Sequence, residues 1–590
     1  MFGIKCCLAC CISLSHLAAA YVEINRSPVD LALSHDESWI ATVNQTSNSV
    51  SIVRTADGVV LDELSVGARP SAIALHPNTN ELFVTSSYGF ALHRIEVVES
   101  KLRKTDDIPL GSQANGLAIS SDGSTAYVAL TDTDEIAVCD LESHKITSRI
   151  PVGRWPRYVA LSEDGKRLAV GTSGDRGISI VDLQREQLIH VDRFVGLNIG
   201  HLKLAKNAKQ VYFPWMVYRR NPINPRNIQI GWVLASRLGR IGFEDDSRRE
   251  AISLDPAGRA VADPHGIDLT SDENHVVISA SGSQELLVLR NNDLPFLDRG
   301  STDHIDDALL KDSERFFRIE LGGRPMGIRV SQDNRTVFVA NYMNNSIQVV
   351  DLVERKILRN IELGSESTPS LARKGEAIFY DARRSLDQWY SCHSCHYEGG
   401  TNSVIMDTVN DGSSFTFKTV LPLYQLDKTG PWTWHGWQKK LKDAMTHSLK
   451  TTMQGPEPNS GDEEALIAFF SSLTTPPRPN RNSDPIQLVA IERGKQIFDS
   501  SKGACTTCHR GDQFSDGEIH DVGTGDRNDA YVGFNTPTLN GVFRKVQLLH
   551  DGSAENLQEA LTGPHAPEKI AGSELTDSEL KDLISYLKSL

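Results

Sequence analysis

The chain has 590 residues, 39% of them hydrophobic and 23% charged, with a formal net charge of −15. The length exceeds one ordinary domain of about 100–200 residues, and the composition is that of a folded globular protein. The negative charge argues against nucleic acid, whose phosphates demand Lys and Arg, and against steering towards an anionic membrane; it suits a cationic partner or plain solubility.

Residues 1–20 read as a secretory leader. Lys5 supplies a short positive start, an apolar run follows over 6–17, and Ala18-Ala19-Ala20 offers a small-residue cleavage site. Lipid attachment at Cys10, which follows Leu8-Ala9, is the alternative. The run is too short to span a bilayer, and no other stretch looks transmembrane. A soluble periplasmic or secreted protein is therefore expected. Of nine cysteines, Cys6, Cys7, Cys10 and Cys11 leave with the leader, and four of the remaining five form two Cys-x-x-Cys pairs. That usage is not a disulfide framework. Cys139 stands where related segments carry Val181 and Val350, and reads as a small buried hydrophobe.

Residues 21–366 are repetitive. Each unit opens on Gly and a turn residue, as in Gly67-Ala68-Arg69-Pro70, Gly153-Arg154-Trp155-Pro156 and Gly323-Arg324-Pro325. An alternating strand follows, then a turn such as Ser121-Asp122-Gly123, then strands such as Thr336-Val337-Phe338-Val339-Ala340-Asn341 and Ile347-Gln348-Val349-Val350-Asp351. Period-2 alternation between turn clusters marks strands, and four strands in about 40–45 residues mark a β-propeller blade. Seven units begin near Arg26, Arg69, Gln113, Trp155, Leu197, Ala260 and Arg324. The Val-Ala-Asn and Asn-Ser-Ile-Gln-Val-Val-Asp stretches resemble the YVTN family of propeller repeats. The fifth unit carries an insertion through Trp215 to Val233, and the sixth a polar one near 292–315. Such loops are functional or merely tolerated, and docking onto the following region is the functional reading. His201 and His265 read as structural, with a place on a central channel as the alternative.

After Gly364 helical signals replace strands, and the chemistry appears. Cys392-His393-Ser394-Cys395-His396 and Cys505-Thr506-Thr507-Cys508-His509 are two Cys-x-x-Cys-His motifs. Two thiols one turn apart add across the vinyl groups of a haem, and the adjoining His lies under the iron as proximal ligand. Zinc also uses Cys-x-x-Cys pairs, but it needs no His after the second Cys. Two covalently bound haem c groups are therefore expected, on Cys392 and Cys395 with His396, and on Cys505 and Cys508 with His509. The region is duplicated: Arg373-Lys374-Gly375-Glu376-Ala377-Ile378-Phe379 answers Glu492-Arg493-Gly494-Lys495-Gln496-Ile497-Phe498, and Leu441-Lys442-Asp443-Ala444-Met445-Thr446 answers Leu557-Gln558-Glu559-Ala560-Leu561-Thr562. The halves span 367–476 and 477–590, and each closes on a helix, over 464–473 and 576–590. The segment from Thr474 to Asn480, with Pro476, Pro477 and Pro479, is a stiff joint. The expected fold is thus multidomain, an all-β seven-bladed propeller followed by a mostly α diheme cytochrome c domain in two duplicated halves.

This two-half arrangement resembles the bacterial diheme cytochrome c peroxidase family, including the diheme enzyme of methylamine utilisation. The resemblance rests most on Phe514-Ser515-Asp516, His520-Asp521-Val522-Gly523, Asn535-Thr536-Pro537-Thr538-Leu539 and His550-Asp551-Gly552-Ser553. It implies that one haem relays electrons while the other reacts with peroxide. The relay haem of the family takes a Met or Tyr past His-Asp-Gly; here that count falls at Pro564 beside His565, which becomes the expected distal ligand, with an open position as the alternative and His520 and His550 behind it. At the reactive haem the family keeps a Trp-Asp-Gly stretch before a Leu-Glu whose carboxylate handles protons. This chain has Trp434-His435-Gly436, and Lys442 follows Leu441, so Asp443, His435 or His447 would have to substitute. Met453, His435 or His447 could instead cap that iron. One of Trp432, Trp434 and Trp437 is a candidate to stand between the haems, where the family uses a Trp, with core packing as the other role. Calcium bridges the halves in several members, but Lys545-Val546-Gln547 departs from the family's loop and no calcium is expected.

Three functions compete. One is a diheme peroxidase-like oxidoreductase, exchanging electrons with a small redox protein or peroxide and docking a protein partner or substrate on the propeller. The second is an electron-transfer cytochrome with both haems six-coordinate. The third is a propeller-based binding or redox-sensing protein.

Overall fold

The computed structural model describes residues 25–205, 209–364, 368–479, 485–570 and 572–590. The leader over 1–20 lies outside the described residues. Among the described residues no helix is long and apolar enough to cross a membrane.

Seven antiparallel sheets, at 28–65, 70–109, 114–151, 156–193, 196–253, 264–320 and 325–362, form the blades. The first strand of each blade packs beside the first strand of the next, so those strands ring the axis. Local chemistry sets the turns. At Ser120-Ser121-Asp122-Gly123 the Asp122 carboxylate accepts from the Ser120 hydroxyl at 2.6 Å and the Ser124 amide at 2.9 Å, and Gly123 takes the left-handed conformation (φ +80°) that the turn needs. Alternate strand residues from neighbouring blades make the core; Cys139 is fully buried in it, and burial pushes its thiol up to about 12. The ring closes by packing blade seven on blade one without a shared strand: Met326, Phe338 and Ile347 join the cluster of Val29, Leu31 and Ile40. Ser27 N donates to Asn345 Oδ1 at 3.1 Å, and Arg329 pairs with Asp30 at 3.2 Å across the seam.

Both long units are put to use. The sixth-unit insertion adds the strand Leu297–Asp298 to the edge of blade five. The fifth-unit insertion leaves the propeller and packs on the helical region. Ile223, Ile228 and Val233 share a core with Trp389, Tyr390, Val404, Met406 and Met453, and Ile223 N donates to Asp407 O at 2.9 Å.

The helical region repeats one design. Helix Leu371–Tyr380 crosses helix Asp462–Ser472, and helix Pro485–Asp499 crosses helix Asp577–Leu587. Both crossings are made at a glycine: a Cβ on Gly375 would lie 1.9 Å from Ala465 O, and one on Gly494 would lie 1.9 Å from Asp582 O. No side chain fits there, which explains why both copies carry Gly inside a helix despite its cost.

Candidate functional site

The first motif is held from both sides. Ser391 caps the short helix Cys392–Cys395, and its hydroxyl and that of Ser394 donate to the two oxygens of Asp263, a blade-six residue, at 2.5 and 2.6 Å. Burial pushes the Asp263 carboxyl up, but the His393 ring 3.9 Å away and hydrogen bonds from Ser391 and Ser394 outweigh it and hold the group below its ordinary range. Glu398, two residues past His396, receives Arg69 of blade two and Arg324 of blade seven, each at 2.6 Å. Its burial is likewise overcome, by Arg324, His393 and Arg69, and it stays ionised.

His396 donates from Nδ1 to Leu421 O at 2.8 Å, which leaves Nε2 as the free ring nitrogen. Burial pushes its pKa down to about 4, so the ring is neutral at pH 7. That is the state and the backbone anchor a metal-binding imidazole requires. Cys392, Cys395 and His396 line one cavity with Met406, Met445 and Met453. His435 and Lys418 add polar groups to its wall. His435 Nδ1 donates to Gly533 O at 2.7 Å; its Nε2 makes no hydrogen bond and lies 3.6 Å from Asp529 Oδ1, which Lys418 holds at 2.6 Å.

The second motif lines a separate cavity with walls from Phe498, Pro537, Leu539, Leu548 and Leu561. His509 repeats the pattern of His396: Nδ1 donates to Phe514 O at 2.9 Å, and burial lowers the pKa to about 4. His565 faces it, ring centre to ring centre 6.2 Å at 82°. A metal ion about 2 Å from each of two imidazole nitrogens would set the ring centres about 6 Å apart, so the gap fits an iron. His520 is tied to Asp516 at 2.9 Å, and His550 is stacked on Phe534 at 4.0 Å, though both line the cavity.

These donor sets fit covalent haem better than zinc. Burial pushes the Cys392 thiol up to about 12 and the Cys505 thiol up to about 11, so the surroundings disfavour the thiolate that zinc takes. Cys508, Asp516 and His520 place donor atoms within 4.8 Å of one another, but that group omits Cys505 and His509.

Trp434 belongs to the walls of both cavities, alone in this among their lining residues. Its Nε1 donates to Thr419 O at 2.7 Å, while Thr419 N donates to His550 O at 2.7 Å, so one residue ties the Trp to both halves. Trp437 lines only the first cavity and Trp432 neither.

Two expected residues fall elsewhere. Asp443 is exposed on helix Leu441–His447 and stands outside the cavity, as do Lys442, paired with Glu464, and His447. The reason is helical spacing: Met445 and Leu449, four apart, face the cavity, and Asp443, two residues before Met445, is turned to the other side. Sequence reasoning also misses the propeller's share. Asp263, Arg69 and Arg324 carry no motif of their own; the recurring Arg beside the Gly and Pro that open blades two, four and seven is the signal that was available, read only as a turn.

Comparison with known proteins agrees with this architecture. The Cytochrome c family model matches residues 491–590. The protein is therefore a seven-bladed propeller joined to a haem-binding cytochrome c region. Hydrazine synthase subunit gamma of Kuenenia stuttgartiensis is 28% identical over 274 residues, 37% of this chain and 77% of that protein. Methylamine utilization protein MauG of Methylorubrum extorquens is 24% identical over 278 residues, 38% of this chain and 78% of its own. A solved chain of Kuenenia stuttgartiensis hydrazine synthase covers 58% of this chain and 98% of itself, with TM-score 0.50 and 22% identity, a likeness of fold.

Proposed function

We propose that the protein is an exported oxidoreductase of the diheme peroxidase type, carrying haem c on Cys392 and Cys395 and on Cys505 and Cys508. The observation that carries this reading is the pair of Cys-x-x-Cys-His cavities walled by one shared indole, Trp434. His396 and His509 would each hold an iron from Nε2, and His565 would supply a second ligand in the second cavity. When bound, the haems supply one-electron chemistry and, where a coordination position is open, a place for peroxide.

The duplication separates the two roles. Counting from Thr446 and Thr562, the counterpart of His565 is Leu449, which lines the first cavity and has no atom to offer a metal. The first cavity is thus the reactive one. His435 is its proton-handling residue, in place of Asp443: its ring is buried, its Nδ1 is anchored, and its Nε2 lies near Asp529. Burial raises Asp529, but its bond to Lys418 and the Asp526 amide outweigh that and keep it ionised, so it can steady a protonated His435. Trp434 is the bridge for electrons between cavities. A small redox protein is the expected partner, and export to an oxidising compartment follows from the leader and the haem chemistry.

The second reading, a six-coordinate electron carrier, draws on Met453, whose thioether lines the first cavity. One experiment separates them. The purified holoprotein should carry two haems by mass and show a mixed high-spin and low-spin ferric spectrum. Peroxide should change the high-spin component, and His565→Ala should convert the second haem to high spin. A fully low-spin spectrum that peroxide leaves unmoved, before and after half-reduction, would sink the enzyme reading.

A further inference from the structure

Three residues past Trp434 the same loop carries a second indole that leads outwards. Trp432 N donates to Gln438 O at 2.9 Å and closes the loop 432–438. Trp434 stands at the wall shared by the two cavities, whereas Trp437 lines the first cavity alone. The Trp437 ring lies parallel to that of Tyr531, with 3° between the planes and 6.2 Å between the centres, in the offset stack that aromatic pairs favour. Tyr531 belongs to the second half and is 41% exposed. The two rings therefore run from the wall of the first cavity to solvent. His435, the proton-handling residue of that cavity, stands beside the same Tyr ring, centre to centre 6.1 Å.

The surface at Tyr531 is apolar. Val532 is 79% exposed and Ile519 38%. Ile519 joins them to the Trp437 loop: a Cβ on Gly436 would lie 2.5 Å from its Cδ1, and one on Gly533 would lie 2.9 Å from its Cγ2. Exposed apolar side chains set together mark a binding place. Three side chains suit one aromatic ring and fall far short of the roughly 800 Å² that a stable protein partner covers on each side. Indole and phenol are also the rings most readily oxidised by one electron, and an electron crosses between stacked rings far faster than across the same length of saturated chain. The first cavity, about 280 Å³, is taken up by the haem it would hold. A ring-sized reductant must therefore give up its electron from outside.

We propose that Tyr531 is a surface oxidation site, where a phenol or aromatic amine yields one electron that passes through Trp437 into the first cavity. The proposal rests on the diheme peroxidase reading above, since hydrogen peroxide is the oxidant. Each donor gives one electron, releases one proton to solvent and leaves as a radical. Two donors supply the two electrons and two protons with which one hydrogen peroxide, its O–O bond broken, leaves as two waters. Tyr531 and Trp437 end as they began.

The test uses the purified holoprotein with hydrogen peroxide and guaiacol, a neutral phenol. The wild type should oxidise guaiacol. Tyr531→Phe keeps the stacked ring but loses the oxidisable phenol, and should react about tenfold more slowly; Tyr531→Trp should restore most of the rate. The change that peroxide makes in the haem spectrum should be the same in all three, which also shows that each is folded. With peroxide and no guaiacol, peptide mass spectrometry should find oxidation or a Tyr–Tyr cross-link at Tyr531, and in Tyr531→Phe the mark should move to Trp437. If peroxide changes the spectrum but Tyr531→Phe oxidises guaiacol as fast as the wild type, the surface site is refuted and the peroxidase reading stands. If peroxide leaves the wild-type spectrum unmoved, both fall.

Discussion

The two cytochrome halves share one ancestral plan and are held in place by different means. In the first half Arg373 and Glu376 of the opening helix turn to the propeller: Arg373 donates to Tyr342 O at 2.7 Å, and the Tyr342 hydroxyl donates to Glu376 at 2.7 Å. Their counterparts in the second half are Glu492 and Lys495, both exposed, and Lys495 pairs only with Asp499 of its own helix. The first motif is clamped by Asp263, and the loop past it by Arg69 and Arg324. The second half meets the propeller through Arg544, which pairs with Asp132 at 3.1 Å and donates to Gln113 Oε1 at 3.0 Å, and through the backbone carbonyls of Arg544, Lys545 and Glu555, which accept from Trp155 and Arg154. The cavity of the first motif is thus built jointly by two domains, and that of the second motif by one. Charged side chains on duplicated positions diverge according to which surface they face, while the glycine crossings and the anchored His stay the same.

The largest effect should come from breaking the clamp. Glu398→Gln leaves Arg324, 1% exposed, buried without its carboxylate. Orphaning a buried ion costs about 3–5 kcal/mol, and since Glu398 is 24% exposed the lower end applies. Urea unfolding should show a loss of about 3 kcal/mol, with early hydrogen exchange over residues 391–400. Glu492→Gln, at an exposed carboxylate of the second half, should leave the curve unchanged. Equal losses in the two variants would erase the comparison.

A smaller cost is expected at Asp263. Asp263→Asn keeps the shape but loses the charge that two buried hydroxyls donate to and that His393 faces at 3.9 Å. A charge-assisted hydrogen bond is worth about 1.5–3 kcal/mol, so a loss of about 2 kcal/mol is expected. Under the diheme reading proposed above, the effect should be seen at the Cys392 and Cys395 site, as a shifted band and midpoint potential, with the Cys505 and Cys508 site unmoved. A shift in the second haem instead would show that the propeller grips the wrong half in this account.

Much of this was legible from periodicity and spacing, because both are local. Blades announced themselves through turns such as Ser121-Asp122-Gly123, and the motifs through Cys-x-x-Cys-His. The contact between domains was not legible, since it depends on which rim of the propeller faces the helices. Arg69, Arg154 and Arg324 stood in the same turn of three blades, and only assembly turns that position into a row of arms. Asp443 lies outside the cavity for a simpler reason. Its place in sequence beside Lys442 was a matter of alignment, whereas exposure is decided by helical phase, and Met445 and Leu449 claim the inner face. The same phase argument, applied to the duplicated helix Leu557–Thr562, puts Leu561 on the inner face there too.

The smallest effect probes the second half's self-sufficiency. Helix Asp577–Leu587 starts with a reciprocal cap: Thr576 Oγ1 accepts from Glu579 N at 3.3 Å, and Glu579 Oε2 accepts from Thr576 N at 2.8 Å. Glu579 also takes Lys502 at 2.7 Å, and Lys502 O accepts from Ser573 N, so the cap reaches the loop that leads into Cys505. Helix Asp462–Ser472 of the first half begins at Gly461 with no side-chain cap, and relies on Asp462, which pairs with Arg384 at 2.6 Å. The closing helix of the second half is therefore held by a side-chain cap, and that of the first half by an ion pair within its own half. Thr576→Ala should cost about 1 kcal/mol, read by urea unfolding, with faster exchange confined to residues 500–510 and 573–587. The first haem's spectrum should not change. If the loss spreads to the first half, the halves unfold as one unit, and the autonomy inferred for the second half is wrong.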